Sequence, residues 1–139
     1  MSQSFDEIVL HTKGRGLYDI TASIIDWVDK QVIQDGLLTL FIQHTSASLL
    51  INENYDSNVQ KDLESFFSIL VKDGDKLFTH TIEGDDDMPA HIRTALTQTN
   101  LSIPIKNRKM LLGQWQGIYI FEHRYNEFER KVKIHLIGQ

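Results

Sequence analysis

The stretch LSIPIKNRKMLLGQWQGIYIFEHRYNEFERKVKIHLI, residues 101–137, decides the fold. It divides into four apolar runs, LSIPI, KMLLG, QGIYIFEHR and RKVKIHLI, with turn residues at Lys106-Asn107 and Tyr125-Asn126. Each run has strand length and β-type residues, and no helical period separates one from the next. Strands that follow one another without helices favour an α+β fold with a largely antiparallel sheet over a doubly wound parallel one. Pro104 cannot donate to a ladder, so its strand belongs at an edge or carries a bulge.

Upstream, the period changes. FDEIVLHT (5–12) alternates and predicts a strand, and KGRGLYDIT supplies two glycines for a turn. Ile20, Ile24, Val28 and Val32 recur every fourth residue, predicting an amphipathic helix to about Gln34 that Asp35-Gly36 ends. LLTLFIQ (37–43) is short and apolar throughout, as a central strand covered on both faces would be. SLLIN continues as an extended segment. Asp56 or Ser57 then caps a second helix with Val59, Leu63, Phe66, Phe67 and Leu70 as its stripe. Leu77 to Thr81 predicts a short strand before the acidic loop EGDDD. A third helix starts near Pro89, a residue tolerated in a first helical turn, and runs to about Thr97. No linker or repeat divides residues 1–139, which are expected to form a single domain with about three helices.

Composition narrows the classes of function. The chain has 139 residues, a net charge of -5 and no cysteine. That length suffices to bury a core, and the acidic balance gives no field for nucleic acid or an anionic membrane. Thiol catalysis, thiolate metal sites and disulfides are excluded, which suits a reducing cytoplasm. No apolar run reaches the roughly 20 residues of a membrane span.

The chemistry-bearing residues cluster at the ends of elements. His44 follows the apolar strand and opens HTSASLLINENYDSN (44–58), a stretch dense in hydrogen-bonding side chains. His80 precedes Glu83 and Asp85 to Asp87. His91 falls in the first turn of the third helix, where unpaired N–H groups and the dipole favour a neutral imidazole. Two or three such histidines with a carboxylate suit Zn²⁺ or a similar borderline metal. A Mg²⁺ bound between the aspartates and a substrate phosphate is the other choice. Equally, Asp87 can serve as an N-cap with its neighbours in solvent. His11 and His135 read as surface residues. Trp115 beside Gln116 can floor a pocket or belong to the core, and Glu122 with Arg124 reads as an ion pair or a subunit contact.

Three blocks, HTSASLLINENYDSNVQKDL, HTIEGDDDMPAHIRTAL and LSIPIKNRKMLLGQWQGIYIFEHR, resemble the signature blocks of the YjbQ-like family, UPF0047, in the same order. The resemblance implies a YjbQ-like α+β subunit, assembly as a homotrimer with sites near subunit boundaries, and a secondary thiamine phosphate synthase activity. Such an enzyme would couple a pyrimidine-methyl pyrophosphate to a thiazole phosphate. His44, Asn52, Asn54, Asp62 and Glu64 fall on the first block, His80, Glu83 and His91 on the second, Trp115 and Gln116 on the third. The implied roles are catalytic for His44, Glu83 and His91, metal-ligating for His44, His80 and His91, and substrate-binding for Asn52, Asn54, Trp115 and Gln116. Arg93 and Arg124 are the cations best placed to meet a leaving pyrophosphate. Two departures stand out: EGDDDMPAH has Asp85 where the family pattern has Asn, and Gln114 replaces the usual Thr. The competing readings are a non-catalytic metal- or ligand-binding trimer and a metal-dependent phosphoester hydrolase.

Overall fold

The computed structural model describes residues Met1–Gln139. Eight strands and three helices follow in the order β1 (Ser2–Lys13), β2 (Gly16–Asp19), α1 (Thr21–Asp29), β3 (Gly36–Ile42), β4 (Ala47–Glu53), α2 (Ser57–Leu70), α3 (Asp87–Leu96), β5 (Asn100–Lys106), β6 (Lys109–Met110), β7 (Gln116–Glu122) and β8 (Glu127–Gly138). They form a five-stranded sheet, β1-β8-β3-β5-β6, and a three-stranded sheet, β2-β7-β4. Every pairing is antiparallel. The fold is α+β.

Alternation along the strands builds the core between the two sheets. Leu38, Leu40 and Ile42 of β3 face inward beside Leu101, Ile103 and Ile105 of β5 and Val132, Ile134 and Leu136 of β8. Leu49, Ile118 and Ile120 of the smaller sheet meet them, with Ile20, Ile24 and Val28 closing one end at α1. β7 is buried on both faces, because Tyr119 and Phe121 turn the other way, toward α2, where the Phe121 ring meets Phe67 edge-on at 5.6 Å.

Five local expectations need correction. α1 stops at Asp29, since the fourth-residue period outlasts the helix: Val28 is buried, but Val32 stands in solvent. Gly36 is therefore not a helix cap. It opens β3 opposite Gly138, where a Cβ on either glycine would lie about 2 Å from backbone oxygen of the neighbouring strand. β3 is central, yet only one of its faces is covered within the chain, leaving Leu37 and Phe41 exposed. Leu77 to Thr81 forms no strand; the segment is an irregular connection with no ladder beside it. The α2 stripe also divides, with Leu63 and Phe67 half-buried and Phe66 and Leu70 exposed. Asp56 caps α2 as expected, its carboxylate accepting from Asn58 N–H at 2.9 Å. Pro104 lies on β5, whose outer edge pairs with β6 at Ile105 and Lys106 and whose Pro104 carbonyl accepts from Leu111 N–H at 2.9 Å.

Candidate metal centre

β3 and β4 are consecutive but belong to different sheets, so the Gln43–Ser46 link crosses between them. A crossing segment has no ladder partner on either side, and its polar groups need other ones. His44 Nε2 accepts from Lys131 N–H at 2.8 Å. Ser46 Oγ accepts from Arg130, and Ser48 Oγ lies 2.8 Å from His123 Nε2. The Thr45 carbonyl is left for α3, where His91 Nδ1 reaches it at 2.8 Å. The polar opening of the stretch after β3, His44 to Ser48, is accounted for by this crossing.

α3 places Asp87 in its first turn and His91 one turn later, on the same face. His80 enters from the α2–α3 connection. That connection is held by a backbone bond from Gly74 N–H to Asp85, and by Arg15, which grips both oxygens of Asp73 at 2.6 and 2.8 Å. His80 Nε2 is 2.7 Å from Asp87 Oδ2, and His91 Nε2 is 3.1 Å from the same oxygen. The three donor atoms lie within 4.8 Å of one another. Asp87 is buried, while the side chains of His80 and His91 keep 44% and 30% of their surface, so the group opens to solvent.

Arg124 fixes the carboxylates. It donates from Nη1 to Asp87 Oδ1 at 2.8 Å and from Nε to Asp86 Oδ2 at 3.1 Å. Burial pushes the Asp87 carboxyl up, but the His80 hydrogen bond and the nearby His91 and Arg124 more than offset it and hold it below its usual value. Asp86 behaves likewise: burial raises it, and Arg124 and the Tyr125 backbone N–H bring it below normal. Both aspartates are carboxylates at neutral pH.

The hydrogen-bond roles in this group decide what it holds. A carbonyl only accepts, so His91 Nδ1 must donate to Thr45. A neutral His91 then turns the lone pair of Nε2 on a carboxylate oxygen 3.1 Å away. Two acceptors face each other, and only a proton or a metal cation between them relieves the repulsion. A backbone carbonyl behind one ring nitrogen is also the outer contact that ligating histidines use to fix the tautomer. The residues fit a divalent ion.

Other predicted residues stand elsewhere. His44 is outside the three-residue group, and burial, followed by Arg130, pushes its imidazole down. Glu83 is exposed and contributes its backbone oxygen to Arg124. Asn52 accepts from Glu53 N–H, and Gln116 from Gly113 N–H. Trp115 is half-exposed and meets Tyr55 at 4.9 Å, in neither core nor pocket floor. These last residues gather at the far end of β4 with Asn54, separated from the histidines by a seven-residue strand, on the order of 20 Å. Asp62 is exposed, and Glu64 pairs with Arg93 at 3.0 Å in the interior. Neither expected phosphate-binding arginine is free, since Arg93 is fully buried on Glu64 and Arg124 is held by aspartates. Glu122 does not pair with Arg124. Its Oε2 accepts the backbone N–H groups of His123 and Arg124, and it pairs with buried Arg130 at 2.6 Å.

Asp87, open in the sequence to a role as helix cap or, with Asp85 and Asp86, as a partner for Mg²⁺, is the carboxylate that meets both histidines. Its D-x-x-x-H spacing to His91 was the available signal. Nothing local pointed to Arg124.

Known proteins agree with this architecture. Residues 6–139 match the family described as UPF0047 protein YjbQ-like. A UPF0047 protein of Synechocystis is 44% identical over 132 residues, 95% of this chain and 90% of that protein. YjbQ of Escherichia coli O157:H7 is 39% identical over 133 residues, 95% of this chain and 96% of its own. Among solved structures, an uncharacterized yjbq/upf0047 protein of Clostridium acetobutylicum superimposes with a TM-score of 0.86 at 34% identity, covering 95% of this chain and 99% of that one. A YbjQ-like protein of unknown function from Sulfolobus solfataricus reaches 0.90 at 22% identity over 99% of both chains, which is likeness of fold. By sequence along nearly its whole length, the chain belongs to the YjbQ-like UPF0047 family.

Proposed function

We propose that the chain is a metal-dependent enzyme acting on phosphorylated small molecules, with His80, Asp87 and His91 as its metal ligands. The observation that carries this reading is the convergence of His80 Nε2, His91 Nε2 and Asp87 Oδ2 within 4.8 Å of one another, with the other ring nitrogen of His91 committed to the Thr45 carbonyl. Two imidazoles and one carboxylate suit Zn²⁺ and other borderline ions; Mg²⁺ prefers all-oxygen ligands. Three protein ligands in an open position match a catalytic rather than a closed structural site. When bound, the ion supplies a Lewis acid for a phosphoryl oxygen.

The chain's own groups do the rest. Arg124 occupies Asp87 Oδ1, so Oδ2 alone faces the histidines. A cleft of about 140 Å³ adjoins His80, lined by Lys76, Phe78, Thr81 and Met88 and by the carboxylates of Asp75 and Asp85. That volume suits a phosphate group, and the Lys76 ammonium is a cation for it. With Arg93 and Arg124 engaged elsewhere, a phosphate there would rely on Lys76 together with the bound cation to offset Asp75 and Asp85. Coupling of the thiamine-phosphate-synthase type follows from the family resemblance and is the reaction to test first; phosphoester hydrolysis is the second.

A homotrimer would cover two apolar surfaces that a lone chain leaves bare. The outer face of the larger sheet exposes Phe5, Leu37 and Phe41, and α2 with the loop after it exposes Phe66, Ile69 and Leu77. Two different faces are what a head-to-tail ring requires.

The test is elemental analysis of protein purified without added metal, followed by assay of both thiamine precursors and of simple phosphomonoesters. Wild type should retain metal and turn over one class, and Asp87→Asn should lose both properties. Equal turnover by wild type and Asp87→Asn, or none by wild type with its metal retained, would end the enzyme reading.

A further inference from the structure

Arg108 is the one arginine of five without a carboxylate. Arg15, Arg93, Arg124 and Arg130 pair with Asp73, Glu64, Asp86 and Asp87, and Glu122 respectively. Arg108 also stands where its residue type is out of place. The two-residue turn Asn107-Arg108 joins β5 to β6, with Lys106 opposite Lys109. Both turn residues have positive φ, 52° and 61°. A hairpin turn of that kind favours Asn first and Gly second, and a bulky residue at the second place is strained. Such strain persists where the surroundings hold it, and it gathers at functional positions. Here they do hold it: Arg108 N–H donates to the Gln34 carbonyl and Asn107 N–H to Asp35 Oδ1, both at 2.8 Å.

With its backbone so held, Arg108 borders a cleft of about 410 Å³, within the range of small-molecule sites. Arg108 and Lys109 give it two cations. Ile25, Val28, Met110 and Leu112 give it apolar walls, and Asn54 and Gln116 stand at its polar side. Gln116 spends its carbonyl oxygen on Gly113 N–H, so its amide N–H groups remain to donate. Asn54 uses only its backbone N–H, toward Trp115. Asp29 also lines the cleft and can accept from a ligand hydroxyl or N–H. Cations and amide donors around apolar walls recognise an anionic head on a small apolar body.

We infer that this cleft is a binding site for a small organic anion, with an aromatic or short apolar body against Ile25, Val28 and Met110 and a phosphate or carboxylate on Arg108 and Lys109. The site is separate from the histidine group and does not rest on the metal reading.

The probe is (1-naphthylmethyl)phosphonate, which cannot be hydrolysed, titrated into the intact protein and followed by NMR of the Asn54 and Gln116 side-chain amides. 1-Naphthalenemethanol is its neutral counterpart, and 1-naphthoate compares carboxylate with phosphonate. The phosphonate should shift both amides and bind at least tenfold more tightly than the alcohol, with the tighter of the two anions identifying the head group. Arg108→Gly, which relieves the turn as it removes the charge, should weaken the phosphonate at least tenfold. Asp87→Asn should leave it unchanged. Equal affinity for alcohol and phosphonate, undiminished binding by Arg108→Gly, or amide shifts near His80 and His91 in place of Asn54 and Gln116 would each overturn the assignment.

Discussion

His91 and Asp87 meet one helical turn apart with Nε2 and Oδ2 separated by 3.1 Å, and the position between them calls for a positive charge. A metal ion held there needs both Nε2 and Oδ2 free of protons, so metal and protons compete. Metal binding should therefore release protons. Calorimetry with Zn²⁺ in buffers of different ionisation enthalpy should give different apparent heats. Asp87→Asn should weaken binding by more than the roughly 10- to 100-fold that outer contacts command. Identical heats in every buffer would remove the proton from the account.

His123 provides a pH dependence of stability. It is fully buried, and burial, followed by the nearby Arg93, Arg15 and Arg130, pushes its imidazole down to about 3. In the unfolded chain it returns to about 6.5. Between these values the unfolded state binds more protons, so stability is complete above the unfolded value and is lost as pH falls. The slope from this residue is about 1.4 kcal/mol per pH unit in that window. His44 is depressed too and adds in the same direction. Urea titrations at pH 7 and pH 5 should show the loss, and His123→Gln should flatten it. An unchanged slope in the variant would assign the dependence elsewhere.

The sequence displayed what repeats locally and concealed what depends on distant partners. Four strands without intervening helices dictated the antiparallel sheets, and Asp56 announced α2 through its own side chain. Val32 misled because a four-residue period carries no stop signal, and the chain turns after Asp29 for tertiary reasons. Leu77 looked like the start of a strand because apolar residues near Thr are common to strands and to surfaces awaiting a partner. In the candidate site, His80 and His91 were visible as histidines at element ends. Asp87 was not distinguishable from Asp85 or Asp86: Arg124, far along the chain, holds both Asp86 and Asp87, and only Asp87 also meets the two histidines.

Glu122 and Arg130 form an ion pair with almost no exposed surface. Thr12 Oγ1 also donates to Glu122, and Ser46 accepts from Arg130, so both charges are well partnered. Removing one partner strands the other. Arg130→Met should cost about 3–5 kcal/mol in urea unfolding. Glu122→Leu alone should be comparably severe. The double variant should fall short of the summed losses by about 0.5–3 kcal/mol, the coupling typical of contacting residues. Strict additivity would mean the pair contributes nothing as a pair.

Arg108→Gly should stabilise the fold. At φ 61° an arginine side chain crowds its own backbone, and glycine does not. The left-handed conformation costs a residue with a Cβ roughly 1–2 kcal/mol, against which glycine gives back part through its freer unfolded chain. The Arg108 side chain has no ion pair to lose, and its backbone N–H to Gln34 survives the substitution. A gain of about 1 kcal/mol in urea or a rise in Tm is expected. A loss of stability would mean that the arginine contributes to the fold itself, and the turn would then owe its strain to structure rather than to a ligand.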